Sequence, residues 1–581
     1  MVTDAKMSWG SLPYLILLAA LPYLNTLKAG FTLDDEPVIV ANPIVTHGVD
    51  VWGALSTPLF PGDLFRPLTV LTFAVNQALT PDDPALFHAV NVALHAVVTV
   101  FVFWLAMRLF GSVRVAVIAG VLFAVHPIHT EAVSSLVGRA EVLAALFGLI
   151  ALLAAAPSGE IVSPPTPIRR LTSLVCFSFA LMSKESSVML LALIPLFRIA
   201  IRRDPLNTGL RNEIVGLHWV PYVLCAGAIL LLRYHVVGKL HVDTVTPLDN
   251  VLAFVPSGVR IRSALAVFWD YFGLLNVPLV LAADYSYAQV PVVTSWTEAR
   301  FLAGTALLLG TILAACRSRR PALTFALLSP FVALSLTANI LFPIGTPKAE
   351  RLLYFPSVGW ALLVAYALDR CVHVSRLRTA AVAALSIIVA GFAVRTWERN
   401  WDWQDNLTLY RSMARTAPRS AKARYNLGVA LQKEGTYLAA VAQFQEALAI
   451  YPQTEGAALG IGYAFERTGH VDKAIEWYKR ALTIAPWFGD AHTNLCHVLF
   501  SNDRYSEAVV ACRKGLRYRP ADANLLKGLG GSLVGIGEIE KGVQVLRRSL
   551  RLNERDDELK IYLAKLEAPA MMPISQGETL Q

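Results

Sequence analysis

Apolar runs of roughly 15 to 23 residues recur between residues 11 and 395, separated by short charged loops. A helix needs about 20 such residues to cross a hydrocarbon layer about 30 Å thick, so these runs dictate membrane-spanning helices. None alternates with the two-residue period of a membrane barrel. Composition points the same way: 55% of the 581 residues are hydrophobic and 16% charged, with mean hydropathy +0.51, whereas soluble chains carry about a quarter charged residues. The chain is expected to be all-α and polytopic. No small-residue cleavage site follows the first run, so it is expected to stay as an anchor.

Spans are expected near 11–27, 88–108, 114–128, 139–156, 170–183, 186–199, 214–233, 301–315, 322–342, 352–370 and 378–395, about eleven crossings. Alternate loops carry Arg108 and Arg114, Arg169 and Arg170, Arg198 to Arg211, Arg317 to Arg320, and Arg370 to Arg378. By the positive-inside rule those loops are cytoplasmic, which puts the N-terminus inside and everything after 395 outside. The same rule accounts for the net charge of +9 without a nucleic-acid partner. The stretch 260–285 is apolar but holds Asp270 and Pro278, and is expected to form a re-entrant or interfacial hairpin on the outer side.

Beyond 395 the pattern changes. Pro418, Pro452, Pro486 and Pro520 recur every 34 residues, the period of the tetratricopeptide helix-turn-helix repeat. Leu427-Gly428, Ala440, Phe444 and Ala447 precede Pro452, and Ile461-Gly462, Ala474, Tyr478 and Ala481 precede Pro486 in the same register. The expected organisation is a membrane domain at 1–395, a connecting helical segment at 396–420, four repeats at 421–567 and a disordered tail at 568–581. Such repeats form an α-solenoid whose concave face suits peptides or proteins; a rigid spacer is the plainer alternative. Six cysteines show no zinc spacing, so no structural metal is expected. Cys496 and Cys512 fall on the two helices of one repeat, either oxidised outside the cytoplasm or two buried thiols.

Ionisable residues near membrane depth mark function by default. With the orientation above, Asp34, Asp35, Arg66, His126, His129, Glu131, Arg139, Glu141, Lys184, Glu185, Asp284, Lys348, Glu350 and Arg351 all fall at the outer ends of helices or in outer loops. A transporter would place some of them near the midplane. Arg66, Lys184 and Arg351 are suited to phosphate oxygens, and Asp34 and Asp35 to taking a proton from an attacking hydroxyl. That set describes transfer of a group from a lipid phosphate, the anionic leaving group being stabilised by the cations. Plainer readings stand beside it: Arg66 snorkelling from an interfacial helix, Lys184-Glu185 as an ion-paired turn, and His126 and His129 as helix caps. Adjacent side chains of an extended segment point to opposite sides, so only one aspartate is expected to act as base and the other to orient or cap.

"DDEPVIVANP", "FRPLTVLTFAVN", "FAVHPIHTEAVSSLVGRAEVLAALF", "MSKESSVMLLAL", "ADYSY", "KAERLLYFPSVGW" and "RNWDWQDNLTLYRSMARTAPRSAKARYNLGVAL" together resemble the transmembrane and tetratricopeptide-repeat-containing (TMTC) proteins over nearly the whole chain. The resemblance implies a GT-C type membrane domain and inverting transfer of mannose from a polyprenyl-phosphate carrier to Ser or Thr hydroxyls of extracytoplasmic proteins. It maps the family's acidic pair onto Asp34 and Asp35. The implied partners are the lipid-linked sugar donor, an acceptor protein or peptide on the repeats, and the bilayer. A divalent metal is left open. The chain's compactness suggests a bacterial plasma-membrane member. Family members usually carry more than four repeats, which leaves the length of acceptor open. An O-antigen-ligase-type transferase and a non-catalytic scaffold are the alternatives.

Overall fold

The computed structural model of the chain describes residues 2–59, 62–157, 165–239 and 245–567. The tail expected at 568–581 lies outside them. Among the described residues the secondary structure is helical, with no strand longer than the isolated Leu59–Leu64 bridge. The chain divides into two units, the first ending at Ser420 and the second beginning at Ala421.

The longer helices of the first unit, in chain order, are α1 (Val2–Ala20), α2 (Pro67–Leu79), α3 (Pro84–Phe110), α4 (Val113–Val125), α5 (Arg139–Ala155), α6 (Pro167–Ser183), α7 (Leu190–Arg202), α8 (Leu206–Val215) and α9 (Val220–Val237). They continue with α10 (Ser257–Asn276), α11 (Ala299–Arg317), α12 (Pro321–Leu334), α13 (Pro356–Val372), α14 (Ser375–Asn400) and α15 (Asn406–Thr416). Proline opens α2, α3, α6, α12 and α13 at the first position, where its missing N–H would have no helical partner anyway. Asp83 and Ser112 cap α3 and α4 by accepting amide bonds from Ala85 and Val115. The core is an apolar cluster contributed mainly by α3, α4, α5, α6, α7 and α13.

Five helical segments among the described residues are long and apolar enough to cross a membrane, or six if the bent pair Val113–Val125 and Pro127–Val133 is one span. The chain is a multi-pass membrane protein. The remaining expected spans are helices of 13 to 17 residues, such as α7 and α5. At about 1.5 Å per residue these reach only about 20 to 26 Å unaided, and α7 is extended by the 3-10 turn Glu185–Met189.

The stretch 260–285 is not a hairpin. Its apolar part is one continuous helix, α10, and Pro278 ends that helix instead of breaking it, because the residue before a proline disfavours helical geometry. The segment before α10 is held by Asn250, whose side chain donates to Asn339 Oδ1 (2.9 Å) and Ile344 O (2.7 Å). The segment after it is held by Tyr285, which donates to Glu350 (2.7 Å). Both flanks are thus tied to the segment 339–350.

In the second unit four helix pairs, α16 (Ala421–Lys433) with α17 (Tyr437–Ile450), α18 (Glu455–Arg467) with α19 (Val471–Ile484), α20 (Gly489–Phe500) with α21 (Tyr505–Tyr518), and α22 (Ala523–Gly535) with α23 (Ile539–Leu552), are closed by α24 (Asp557–Glu567). Phe444 fills the space between consecutive pairs. A Cβ at Gly428 or Gly460 would meet its ring at 2.6 or 2.5 Å, so glycine at both positions is a packing requirement. Cys496 and Cys512, both buried, are joined as a disulfide with Cα atoms 5.0 Å apart.

Candidate active site

The loops at one end of the first unit's helices are sewn together by hydrogen bonds. Gly30 N donates to Gln404 O (2.9 Å) and Leu33 N to Asn406 Oδ1 (2.8 Å), tying the first loop to the segment after α14. Leu33 adopts a positive φ of 51° to make this turn, a conformation that costs a branched side chain and persists only where surroundings hold it. Phe65 N donates to Glu185 (3.1 Å), joining the start of α2 to the α6–α7 turn.

Asp34 and Asp35 diverge within this frame. Asp35 is fully buried. Its Oδ2 accepts from the amide (3.0 Å) and hydroxyl (3.3 Å) of Thr32, and its Oδ1 from Val137 N (2.9 Å). Burial pushes its carboxyl up to about 7, while the amides of Thr32 and Val137 pull back toward the charged form. All of its bonding serves the loop. Asp34 is exposed, and its charge acts on Arg351 and on Tyr410 of α15.

Three ion pairs, of which the Arg351 pair lies in the field of this carboxylate, link the neighbouring loops. Arg351 donates its backbone N–H to Glu131 (2.8 Å) and pairs with the same carboxylate through Nη1. Glu131 is nearly buried, but 39% of the Arg351 side chain is exposed, so the guanidinium is anchored on one edge and open on the other. Arg66, the residue before α2, gives Nε to Glu185 at 3.2 Å. Lys184 pairs with Glu141 in a nearly buried contact. Burial, reinforced by the fields of Arg66 and Arg351, depresses Lys184 well below the usual lysine range. Lys184 therefore lies within the fields of both Arg66 and Arg351. From Lys184 and Glu141 a cleft opens between α5 and α12, walled by Ala144, Ala145, Met189, Ala333 and Phe355. It is a narrow space of about 20 Å³ that Ser186, Ser187 and Thr337 also line.

The other expected site residues lie around this group in supporting positions. Arg139 is fully buried and clamps three elements: Nε donates to Asn91 (2.7 Å), Nη1 to Asn76 and to Thr72 O (3.2 Å), and Nη2 to Phe87 O (2.9 Å), with the rings of Phe73 and Phe87 beside it. His126 accepts from Ile128 N (3.2 Å) as a cap and bonds Leu275 O (3.0 Å) through Nε2; His129 bonds Ser357 Oγ (2.8 Å). Both imidazoles are buried among Phe123, Tyr354, Trp360 and Phe392, beneath the ring of ion pairs. Lys348 stacks on Tyr285 (4.5 Å) and faces Asp270 (3.7 Å). Asp284 accepts from Ser286 (2.8 Å) and Ser420. Glu350 is fully buried, accepts from Tyr285, and is raised to about 7 by burial despite the field of Arg399. Arg399, which sequence reasoning missed, donates to Asp402 (2.7 Å) behind it. Its only sequence signal was its place in "RNWDWQDN". Among the described residues no group of His, Cys, Asp and Glu has the arrangement of a metal site.

Fold and site define a class: a polytopic helical membrane protein with a polar cluster at one end of its helices and a tetratricopeptide solenoid after them. The tetratricopeptide repeat family matches at residues 400–455 and 437–486. Protein O-mannosyl-transferase TMTC3 of Mus musculus is 31% identical over 489 residues, covering 78% of this chain and 52% of the relative. Protein O-mannosyl-transferase F38B6.6 of Caenorhabditis elegans is 30% identical over 76% of this chain and 63% of its own length. Human TMTC4, also named a protein O-mannosyl-transferase, is 30% identical over 73% and 64%. The chain is a homologue of the TMTC proteins, spanning about half to two thirds of their length. Among solved structures, YrrB, described as a TPR protein with an unusual peptide-binding site, covers 34% of this chain and 98% of its own at 16% identity and TM-score 0.25. MamA covers 30% and 91% at 18% identity and TM-score 0.24.

Proposed function

We propose that the protein is an inverting glycosyltransferase that moves a sugar, mannose by analogy with its relatives' names, from a polyprenyl-phosphate carrier to Ser or Thr hydroxyls of proteins. The observation that carries this reading is the exposed Asp34 carboxylate in the field of Arg351, whose guanidinium keeps one edge open, with Lys184 in the fields of Arg351 and Arg66. In the proposed reaction the acceptor hydroxyl attacks the anomeric carbon and gives its proton to Asp34. The bond from that carbon to the phosphate oxygen breaks on the opposite face, and the lipid phosphate leaves as an anion. Arg351, Arg66 and Lys184 stabilise the charge it gains, so the leaving group needs no proton. Asp35, Arg139 and Glu131 act as positioning residues that hold the loop, the helices and the guanidinium.

The repeats would hold the acceptor segment, and the Cys496–Cys512 disulfide accords with a non-reducing compartment outside the cytoplasm. In the proposed arrangement the protein lies in a plasma membrane with its N-terminus cytoplasmic and its repeats outside. The test is mass spectrometry of extracytoplasmic proteins from cells with and without the gene. Hexose on Ser or Thr that disappears with the gene supports the reading; an unchanged glycoproteome refutes it.

A further inference from the structure

At the helix ends opposite the candidate active site a second cavity, of about 290 Å³, lies where α7 meets the α11–α12 turn. Its distance from the site follows from the chain: α7 runs to Arg202 away from the Glu185–Met189 turn, and α12 starts at Pro321 and leads toward the 335–350 loop. The wall contains Arg203 from the end of α7 and Arg317 and Arg319 from the α11–α12 turn, with Asp204 as its acid. All three arginines are exposed. Neighbouring basic side chains are already used. Glu213 takes Arg198 (3.0 Å) and Arg202 (2.7 Å), and Tyr366 takes Arg320. Among the described residues Arg203, Arg317 and Arg319 have no such partner. The positive-inside rule explains basic turns; it does not explain why two separate turns bring unpaired arginines to the wall of one cavity that holds one carboxylate.

The surroundings indicate what kind of anion fits. Leu196, Ile199 and Leu206 form the apolar part of the cavity wall. From Arg317 the exposed face of α11 continues upward as Leu313, Ile312 and Leu309, a stripe at helical spacing on a helix of membrane-crossing length. A phosphate in the cavity would therefore have an acyl-chain track beside it. We propose that this cavity binds the headgroup of an anionic phospholipid, its phosphate held by Arg317 and Arg319 with Arg203 closing the far side and its chains lying along α11.

The experiment uses the full chain purified in neutral detergent, titrated with phosphatidylglycerol, with phosphatidylcholine of the same chains, and with inorganic phosphate, followed by native mass spectrometry and thermal unfolding. The expected result is retention of phosphatidylglycerol with a raised melting temperature, and neither effect with phosphatidylcholine or phosphate. Arg317→Gln/Arg319→Gln should weaken phosphatidylglycerol binding by about fivefold per arginine removed. Arg376→Gln/Arg378→Gln, in the first turn of α14 at the same end of the helices, should bind as the unaltered protein does. Equal binding of the two lipids, an equal effect of phosphate alone, or an equal loss in both double variants would overturn the proposal. Should the pocket variant fail to fold, the comparison of the three ligands on the unaltered protein still decides.

Discussion

Asp34 and Asp35 are neighbours in sequence and opposites in environment: Asp35 is sealed in the protein with three donors on its carboxylate, and Asp34 stands exposed in the field of Arg351. The buried member builds the loop from which the exposed one projects. Removing Asp35 should therefore act on stability first. Asp35→Ala strands the Thr32 and Val137 amides and should cost about 2–3 kcal/mol, read as a lowered thermal midpoint and faster hydrogen exchange at 30–36. Unchanged exchange there would contradict the assignment.

Asp35 also sets a pH dependence. Its folded-state value near 7 lies above the ordinary aspartate value of about 3.9. The folded protein thus holds this proton more tightly than the unfolded chain does. Stability from this group is full below about pH 4 and is lost as pH rises through about 7. The midpoint of the unaltered protein should fall relative to that of Asp35→Asn between pH 5 and pH 8. Parallel curves would mean the group does not titrate in this window.

Lys184 and Glu141 are a nearly buried pair, so breaking one half leaves an uncompensated charge. Lys184→Met alone should destabilise the protein by about 3–5 kcal/mol, and Lys184→Met/Glu141→Met should recover most of that loss. Under the proposed mechanism the double variant, though stable, should still bind the polyprenyl-phosphate donor weakly. Donor affinity restored together with stability would remove Lys184 from the phosphate site.

Glu131 holds one edge of Arg351, leaving the other edge for a phosphate. Arg351→Gln should raise the KM for a polyprenyl-phosphate sugar by about tenfold or more. Glu131→Gln should produce a smaller rise with the same sign, since the guanidinium remains but loses its anchor. A larger effect from Glu131→Gln than from Arg351→Gln would reverse their roles.

In the solenoid, Gly460→Ala would push a methyl to 2.5 Å from the Phe444 ring and should cost about 1–3 kcal/mol. Hydrogen exchange across 437–467 should rise in that variant. Gly460→Ala/Phe444→Leu should recover part of the protection, because the smaller side chain vacates the contact.

The repeat array was readable because prolines spaced every 34 residues and the glycines facing Phe444 report local packing. The separation of the two aspartates was expected from an extended segment, whereas Asp34 lies in a turn and Asp35 has helical geometry at the head of Glu36–Val40, so the turn and not strand alternation parts them. Which one turned inward was not readable, because Val137, the distant partner of Asp35, lies about a hundred positions along the chain. Arg139 looked like a site cation for the same reason. The neutral groups that absorb it, Asn76, Asn91 and Phe87 O, come from α2 and α3, and only tertiary structure brings them together. At 260–285 Pro278 read as a break and Asp270 as a charge in an apolar stretch. The Asp270 partners Arg300 and Lys348 belong to later segments, and with them in place the helix runs unbroken.

The central claim is that Asp34 takes the acceptor's proton, and transfer from a radiolabelled polyprenyl-phosphate mannose to a Ser/Thr peptide by purified Asp34→Asn tests it directly. The account predicts a loss of rate of about 100-fold or more with unchanged thermal stability and donor affinity. Transfer by Asp34→Asn at the rate of the unaltered protein would contradict it.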